Sequence, residues 1–360
     1  MSRSGRQRHG ELQRRGEVRV GISGWRYAPW RGVFYPKGLR IADQLEFASQ
    51  LFSSIELNGS FYSLQRPQSY RAWSKATPQG FVFSIKGSRY ISHLKRLKDV
   101  EAGLANFFAS GLLDLEEKLG PILWQLPPNF AFDEARLKSF FELLPRTHGD
   151  AALLARQHGP KLAGRVSFGA GGRTPIRYAI EFRHESFVSP STSALFKAHR
   201  IAPCVADTAG LFPTIEDLCT DFVYVRLHGA EQLYTSGYSH DELRVWAARI
   251  RRWRAGLPAA HPRHADPKSR GNGKPHDVFV YFDNDVKVRA PFDALNLDRI
   301  LQDLEPQDSP DDLLRTVTEE PRTDWPAWRR ATANRTLSHP MVPPLTRSRS
   351  AARSRARPRS

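Results

Sequence analysis

The feature that most constrains the fold of this chain is a unit that recurs eight times along it. Each unit is a short strand pattern that ends in a polar side chain and a loop, after which a helical pattern usually begins. In the first unit, Val18, Val20 and Ile22 share one face of a strand and Gly24 ends the run. The eight predicted strands are 18–22, 54–58, 81–86, 121–126, 177–183, 201–207, 221–228 and 277–285.

Eight strands that alternate with about eight helices, over about 290 residues, are what a closed parallel barrel requires. Helical spacing of apolar residues is found in 42–51, from 68 onward, and in 99–118, 133–143 and 292–304. The sequence therefore predicts an α/β protein with a single (β/α)8 barrel of the TIM type, which occupies residues 17–305.

Two stretches, 147–174 and 256–276, are too long for the connections of a minimal barrel. Each follows a helix and precedes a strand, and such loops emerge at the end of a barrel opposite its catalytic mouth. We predict that both are mobile insertions that take no part in the chemistry.

Most of the positive charge of the chain lies near its ends. The formal net charge is +17, of which residues 1–16 carry +4 and residues 331–360 carry +7, so +6 belongs to the rest. The Arg-rich stretches have too little apolar content to fold. We predict disordered basic tails at 1–16 and, for the most part, at 306–360, and non-specific contact with nucleic acid through them is one hypothesis.

The cysteine and hydropathy patterns place the protein by default in the cytoplasm. Cys204 and Cys219 have neither disulfide-framework nor zinc-motif spacing, so both are predicted to be buried free thiols in a reducing compartment. No apolar run approaches the roughly 18 residues that cross a membrane. We therefore predict no membrane partner.

Polar side chains at the carboxyl ends of the predicted strands define a candidate site. The strand alternation places most of them on the inner face, where they would converge on the barrel mouth. The predicted catalytic residues are Glu56, Glu181, Asp207 and His228. The predicted substrate-binding residues are Trp25, Asn58, Tyr62, Lys86, His93, Gln125, Arg183, Arg226, Asp283 and Asn284.

Carboxylates, cations and an imidazole from separate strands suit acid-base catalysis, because neighbouring charges and burial separate their pKa values. Lys86, Arg183 and Arg226 favour a small ligand with an anionic group. The alternative is a network of internal ion pairs, in which Glu181 binds Arg183 or Arg226. The aromatic rings of the upper loops either stack on a sugar or base or pack as lids.

No cofactor is assigned from the sequence, but a divalent metal is an open alternative. Glu181, Asp207, His228 and Asp283 end four successive strands, and this donor set suits Mg²⁺, Mn²⁺ or Zn²⁺. Its order is similar to that of metal-dependent sugar isomerase and epimerase barrels, an analogy of fold alone. Arginines two residues from the proposed ligands oppose a cation. A two-carboxylate glycosidase through Glu56 and Glu181 is also open.

Eight ordered motifs between residues 18 and 304 resemble the YecE-like family of unassigned function, also known as domain of unknown function 72. They are GISGWRYAPWRGVFYP (21–36), ELNGSFY (56–62), SHLKRLKD (92–99), QLPP (125–128), IEFRHESF (180–187), ADT (206–208), VRLHG (225–229) and VYFDND (280–285). The resemblance implies a TIM barrel and no particular reaction.

The chain departs from the family pattern at four positions. Gly59 and Ser60 replace a usual Ser-Thr pair, and Asp283 and Asp293 stand where the family usually has amides, which adds negative charge near strand eight.

We expect an enzyme that acts on a small polar, anionic molecule. The rival hypotheses are a metal-dependent isomerase, a nucleic-acid-associated protein and a ligand-binding barrel without catalysis. We also expect Glu181→Ala and Arg226→Ala to abolish ligand binding and to leave the fold intact.

Overall fold

The computed structural model describes residues 16–231, 233–271 and 273–319. Eight parallel strands form a closed barrel in sequence order, and β8 pairs with β1. The strands are β1 (Val18–Ser23), β2 (Ser54–Leu57), β3 (Val82–Lys86), β4 (Leu119–Gln125), β5 (Tyr178–Glu181), β6 (Ile201–Asp207), β7 (Phe222–Leu227) and β8 (Asp277–Phe282). The predicted (β/α)8 fold is confirmed.

Helices surround the barrel and cover the outward faces of its strands. They are α1 (Gln44–Leu51), α2 (Gly59–Tyr62), α3 (Pro67–Ala76), α4 (Glu101–Ala109), α5 (Glu134–Leu143), α6 (His148–Ala155), α7 (Pro190–His199), α8 (His240–Arg254), α9 (Arg289–Leu301) and α10 (Pro310–Glu319). The main apolar core lies between these helices and the strands.

The barrel interior is a second, smaller core that mixes large and small side chains. The hydroxyl groups inside the barrel form hydrogen bonds between strands. Ser54 bonds the Tyr281 hydroxyl at 2.7 Å, and Ser84 bonds the Tyr224 hydroxyl at 2.6 Å. The other inward residues include Val82, Leu123, Ala179, Ala202, Cys204, Ala206, Phe222 and Phe279. Buried hydroxyls therefore fill the layer directly below the mouth at no hydrogen-bonding cost.

One glycine is required by close approach of two strands. Gly21 pairs with Ser54 between β1 and β2, and a Cβ at position 21 would lie 1.9 Å from the Ser54 carbonyl oxygen. Any side chain there would separate the strands, so the glycine in the first sequence unit is a packing requirement.

The structure corrects the helical prediction for 99–118. Helix α4 ends at Ala109, Gly111 takes a left-handed φ of 106°, and a short 3-10 segment covers Leu112–Lys118. A glycine adopts that conformation at little cost, which allows the chain to turn there. Between β6 and β7, the described residues 208–221 contain no helix, so this unit departs from the regular alternation.

The predicted insertions and tails are described in part. Residues 147–174 contain α6, whose Thr147 and Asp150 form a capping box. At the chain ends, 1–15 and 320–360 lie outside the described residues, so the predicted tails there stay predictions. Helix α10 lies within the stretch predicted as a disordered tail from 306, and its Leu313 is only 1% exposed, so the fold extends beyond the predicted boundary at 305.

Both cysteines are buried free thiols, as predicted. In the part of the chain that the structure describes, no helix has the length and apolar character needed to cross a membrane.

Candidate functional site

The guanidinium of Arg226 lies at the centre of the barrel mouth and is completely buried. It forms a bidentate pair with Glu56, with Nη2 at 2.9 Å from Oε1 and Nε at 3.1 Å from Oε2. Its Nη1 donates to Glu181 at 2.7 Å, and its Nη2 also donates to Asp283 at 2.6 Å. One cation therefore joins three carboxylates from β2, β5 and the end of β8.

Glu56 is bound by two hydroxyl groups as well as by Arg226. Its carboxylate accepts hydrogen bonds from the Ser23 hydroxyl and from the Tyr224 hydroxyl, the latter at 2.6 Å. With no exposed surface and with both oxygens bonded, Glu56 is placed to hold Arg226.

Glu181 is equally well paired. Its Oε1 accepts from Gln125 at 2.7 Å and from the guanidinium of Arg183 at 2.7 Å. Burial alone would raise the pKa of Glu181, but Arg226 and Arg183 hold that pKa well below its usual range. Glu181 is therefore an ionised carboxylate, and its pairs with both arginines form the internal network of ion pairs that is the alternative prediction for this site.

His228 lies beside this network and is fully buried. Its Nε2 is 3.3 Å from Nη1 of Arg226, and its Nδ1 is 3.1 Å from Oδ2 of Asp283. The ring of Tyr234 covers it edge to face at 5.2 Å between centroids. The structure thus brings the predicted residue to the mouth, beneath an aromatic side chain.

Lys86 and His93 lie together on one side of the mouth, where both contact Phe61. The Lys86 ammonium, on a side chain only 9% exposed, lies 4.7 Å from the centroid of the Phe61 ring, which His93 also contacts at 5.1 Å. Burial and then Arg226 lower the pKa of Lys86. Burial, followed by Lys86 and Arg183, lowers the pKa of His93 to about 4, so its imidazole is neutral at neutral pH.

The loop that carries His93 has an unusual backbone. Tyr90–Leu94 form a π-helical turn, and Arg96, Leu97 and Asp99 have positive φ angles of 49°, 64° and 49°. Such conformations cost energy and concentrate at functional sites. Arg96 fixes this loop to the β4–α5 loop through hydrogen bonds to the side chain and the backbone oxygen of Asn129, at 2.8 and 2.9 Å.

Asp285 is a mouth residue that our sequence reasoning missed. It neighbours Tyr27, Asp283 and Arg226, and its Oδ1 is buried without a hydrogen-bond partner among the described residues. Burial and then the charge of Asp283 raise the pKa of Asp285. The signal was present, because Asp285 continues the alternation that places Asp283 on the inner face.

Asp207 and Asn284 correct the prediction of a common inner face. On β6 the inward residues are Ala202, Cys204 and Ala206, so Asp207 points outward and accepts a hydrogen bond from the Tyr238 hydroxyl at 3.1 Å. Asn284 also points away from the mouth and donates to Asp293 of α9 at 2.8 Å. Neither side chain takes part in the arrangement around Arg226.

The remaining predicted residues divide between the core and the rim. Trp25 is buried against Trp73, with 5.5 Å between ring centroids, and so packs as part of the core. Tyr62 is 71% exposed at the rim beside Phe61. Asn58 lies at the mouth, donates to the Ser23 hydroxyl at 3.0 Å and has a buried Oδ1 without a partner among the described residues.

The geometry does not assemble the alternative metal ligands. Asp207 faces α8, and Arg226 occupies the space between Glu181 and Asp283. Throughout 16–231, 233–271 and 273–319, no three His, Cys, Asp or Glu side chains form a group that could hold a metal ion. The guanidinium between Glu56 and Glu181 likewise fills the gap that a glycosidic bond would occupy.

Replacement of Arg226 would leave the carboxylates of Glu56 and Asp283 without their arginine and Glu181 with Arg183 alone. Breaking one buried pair costs about 3–5 kcal/mol. This geometry contradicts our expectation that Arg226→Ala leaves the fold intact.

Comparisons with known proteins agree with the fold. The family model described as "Protein of unknown function DUF72" matches residues 19–314. The UPF0759 protein YunF of Bacillus subtilis is 27% identical over 118 residues, which are 31% of this chain and 41% of that protein. The matched segment thus covers less than half of that relative.

Two crystal structures of DUF72 family proteins share the architecture. The protein from Thermotoga maritima is 24% identical, with a TM-score of 0.60, over 79% of this chain and 99% of that one. The protein from Enterococcus faecalis is 15% identical, with a TM-score of 0.57, over 79% and 95% of the two chains. These similarities concern the fold.

Proposed function

This chain belongs to the DUF72 family, which has no assigned activity, and we propose that it is an enzyme that acts on a small, polar, anionic substrate at the barrel mouth. The observation that carries the proposal is the environment of Lys86. Its ammonium is nearly buried, yet among the described residues it has neither a hydrogen bond nor an ion pair. A buried cation without a partner is costly, and an anionic ligand would supply that partner.

The distribution of charge around Lys86 supports the same ligand. The nearby carboxylates of Glu56, Glu181 and Asp283 are already bound by arginines. His93 and Lys86 lie on one side of the mouth, and Arg183, whose guanidinium pairs with Glu181 and whose side chain remains 14% exposed, lies near them. The anionic group of a ligand would therefore bind on this side.

The groups for acid-base chemistry lie at the same mouth. His93 is neutral and so can accept a proton, whereas the raised pKa of Asp285 keeps this carboxyl protonated to higher pH than usual, so that it can donate one. Two titratable groups with pKa values shifted in opposite directions are a common arrangement for acid-base catalysis. This contrast supports an enzyme over a barrel that only binds.

We expect Lys86→Met to remove ligand binding without loss of stability. Thermal unfolding would be measured with inorganic phosphate, pyruvate and glucose 6-phosphate at constant ionic strength, and with uncharged glucose as the reference. The wild-type protein should be stabilised by at least one anion and not by glucose. Lys86→Met should show no stabilisation, and its own Tm should be equal or higher because an unpaired buried charge is gone.

Lys118→Met is the matched control. Lys118 is also buried, but its ammonium donates to the Ser74 and Thr77 carbonyl oxygens at 2.6 and 2.8 Å. Its loss should cost about 1–3 kcal/mol of stability and leave the response to anions intact. Equal stabilisation of wild type and Lys86→Met by the same anion would contradict the proposal, and saturable binding without turnover would reduce it to a binding function.

A further inference from the structure

The free amine of Lys86 suggests a role beyond charge. Arginines occupy Glu56, Glu181 and Asp283, so none of these carboxylates binds the lysine at hydrogen-bond distance. Arginine keeps its proton in proteins, while lysine loses it readily when buried. Lys86 can therefore become a neutral nucleophile, and unlike the arginines it is not bound by a carboxylate.

The surroundings of the Lys86 ammonium make the loss of its proton easier than in water. Burial is the first cause of the lowered pKa of Lys86, and the charge of Arg226 is the second, while Glu56, Asp283 and Glu181 oppose the shift. The face of the Phe61 ring, 4.7 Å from the ammonium, attracts a cation and so also opposes the shift. A desolvated lysine beside another cation is the usual setting of an amine that attacks carbonyl groups.

A proton carrier lies across the same ring. His93 contacts Phe61 at 5.1 Å between centroids, and it is brought there by the π-helical turn Tyr90–Leu94. Arg183 lies on this side of the mouth as well. Its side chain is 14% exposed, and its guanidinium, although paired with Glu181, has further N–H groups that could donate to a carboxylate or phosphate while the amine reacts.

We infer that Lys86 is a nucleophile that forms an imine with the carbonyl carbon of a small anionic aldehyde or ketone. This inference rests on the proposed function, since it uses the same mouth and the same class of anionic ligand. The sequence assigned Lys86 only to binding.

The chemistry balances without any further reagent. The lone pair of the Lys86 Nζ forms a bond to the carbonyl carbon while the C=O π bond breaks, and one of the two Nζ protons passes to the carbonyl oxygen to give a carbinolamine. The C–O bond then breaks, the hydroxyl group leaves as water with the second Nζ proton, and a C=N bond remains, so an amine and a carbonyl compound give an imine and one water molecule. We assign the proton transfers of these two steps to His93, which lies close enough to Lys86 for the charge of the lysine to lower its pKa.

Reductive trapping tests the inference on the full-length protein. The protein would be incubated with pyruvate, glyoxylate or dihydroxyacetone phosphate and sodium borohydride, which supplies the hydride that converts the imine into a stable secondary amine. We expect one adduct per chain by intact mass, mapped to Lys86 by peptide sequencing and suppressed by excess inorganic phosphate.

Two variants separate this inference from the proposed function. Lys86→Arg keeps the positive charge but has no nucleophilic amine, so it should still be stabilised by anions and should form no adduct. Lys86→Met should show neither stabilisation by anions nor an adduct, and its Tm should be equal to or above that of the wild type. Thermal stabilisation by pyruvate without any adduct on Lys86 would overturn the imine and leave the anion site standing.

An adduct that persists in Lys86→Arg, or that spreads over exposed lysines and ignores phosphate, would overturn the inference. If none of the three carbonyl compounds is trapped or stabilises the protein, while inorganic phosphate does stabilise it, the imine is also overturned and the anion site again remains.

Discussion

At the scale of single residues, two aspartates near β8 show how differently a buried carboxyl can be accommodated. Asp283 lies 2.6 Å from a guanidinium nitrogen of Arg226, and although burial alone would raise its pKa, Arg226 and His228 hold that pKa below its usual range. Asp293 instead accepts hydrogen bonds from the Asn284 side chain and the Tyr238 backbone, and burial raises its pKa to about 7. The resemblance leads us to expect amides at both positions, but of the two carboxylates Asp283 is the one that forms an ion pair with an arginine.

We predict that Asp293→Asn stabilises the protein at pH 8. The unfolded Asp293 carboxyl ionises near 3.8 and the folded one near 7, so the wild-type protein loses stability as the pH rises between these values. An amide avoids this loss, and its NH₂ group can donate to the buried, unpaired Oδ1 of Asn284. The gain should be about 1–3 kcal/mol, measured by urea denaturation.

Asp283→Asn is the matched comparison, because it also restores the family amide. The folded pKa of Asp283 is lowered, so its ionised form contributes stability that is present at neutral pH and is lost on acidification. This variant should therefore be destabilised at pH 8. An Asp293→Asn gain that is equally large at pH 4 would show that its origin is not ionisation.

At the scale of elements, the strand ends define the site, and their inward phase could be predicted only where large and polar residues alternate. Glu181 on β5 and Arg226 on β7 follow such an alternation and do point inward. Both faces of β6 are apolar, so hydrophobicity does not distinguish the inward face. The inward residues are recognisable only by their small size. Cys204, for example, is the register partner of the large Tyr224 on β7. Asp207 was therefore assigned to the wrong face.

The pairing of charges at these strand ends could not be predicted from the sequence. Arg183, Arg226 and Lys86 are equivalent in pattern, but which of them reaches which carboxylate depends on distances across the barrel. The sequence likewise does not predict the backbone of the loop after β3, which contains a π-helical turn and positive φ angles.

We predict that Arg96→Ala weakens anion binding more than it weakens the fold. Arg96 holds the β3–α4 loop to Asn129, and its loss should let His93 move away from Lys86. Because the bonds lie at an exposed surface, the stability cost should be below about 1 kcal/mol. The midpoint of anion-dependent stabilisation and the Tm of the free protein together measure the two effects.

Arg136→Ala provides the control for that experiment. The guanidinium groups of Arg96 and Arg136 both lie over the ring of Phe130, at 5.3 and 5.8 Å, but Arg136 belongs to α5 and pairs with Asp133, the N-cap residue of that helix. Equal effects of the two substitutions on anion binding would show that the contact with Phe130, and not the loop anchor, is responsible.

At the scale of the whole molecule, the folded part is longer at its C-terminal end than the strand count suggests. The eighth unit is complete at Leu301, yet Asn296 of α9 bonds the backbone of Gln307 at 2.9 and 3.0 Å, and α10 follows. The family match ends at residue 314, within α10. The sequence beyond the barrel was read as a tail because its apolar content is low.

We predict that a chain of residues 16–319 unfolds at the same temperature as the full chain, whereas 16–305 unfolds at a lower one. The shorter chain loses the buried Leu313 and the bonds between Asn296 and Gln307, and burial of one leucine side chain contributes about 1.5–3 kcal/mol. Calorimetry of the two chains measures the difference. Equal unfolding temperatures would show that α10 adds nothing to the stability of the barrel.

The chain of residues 16–319 also tests whether the predicted basic tails bind nucleic acid. If they provide non-specific nucleic-acid binding, 16–319 should lose the salt-dependent part of that binding and keep its response to anions.

The position of Arg226 has a consequence for how the barrel can come apart. Its own strand, β7, belongs to the second half of the chain, as do Glu181 and Asp283, but Glu56 and Ser23 belong to the first half. A fragment that ends after β4 would contain Glu56 without the arginine that binds it, and one that begins at β5 would contain Arg226 without Glu56 and Ser23. Each half thus contains a buried charge whose partner lies in the other half. Separation of the two halves is therefore unfavourable, and we expect the barrel to unfold as one cooperative unit.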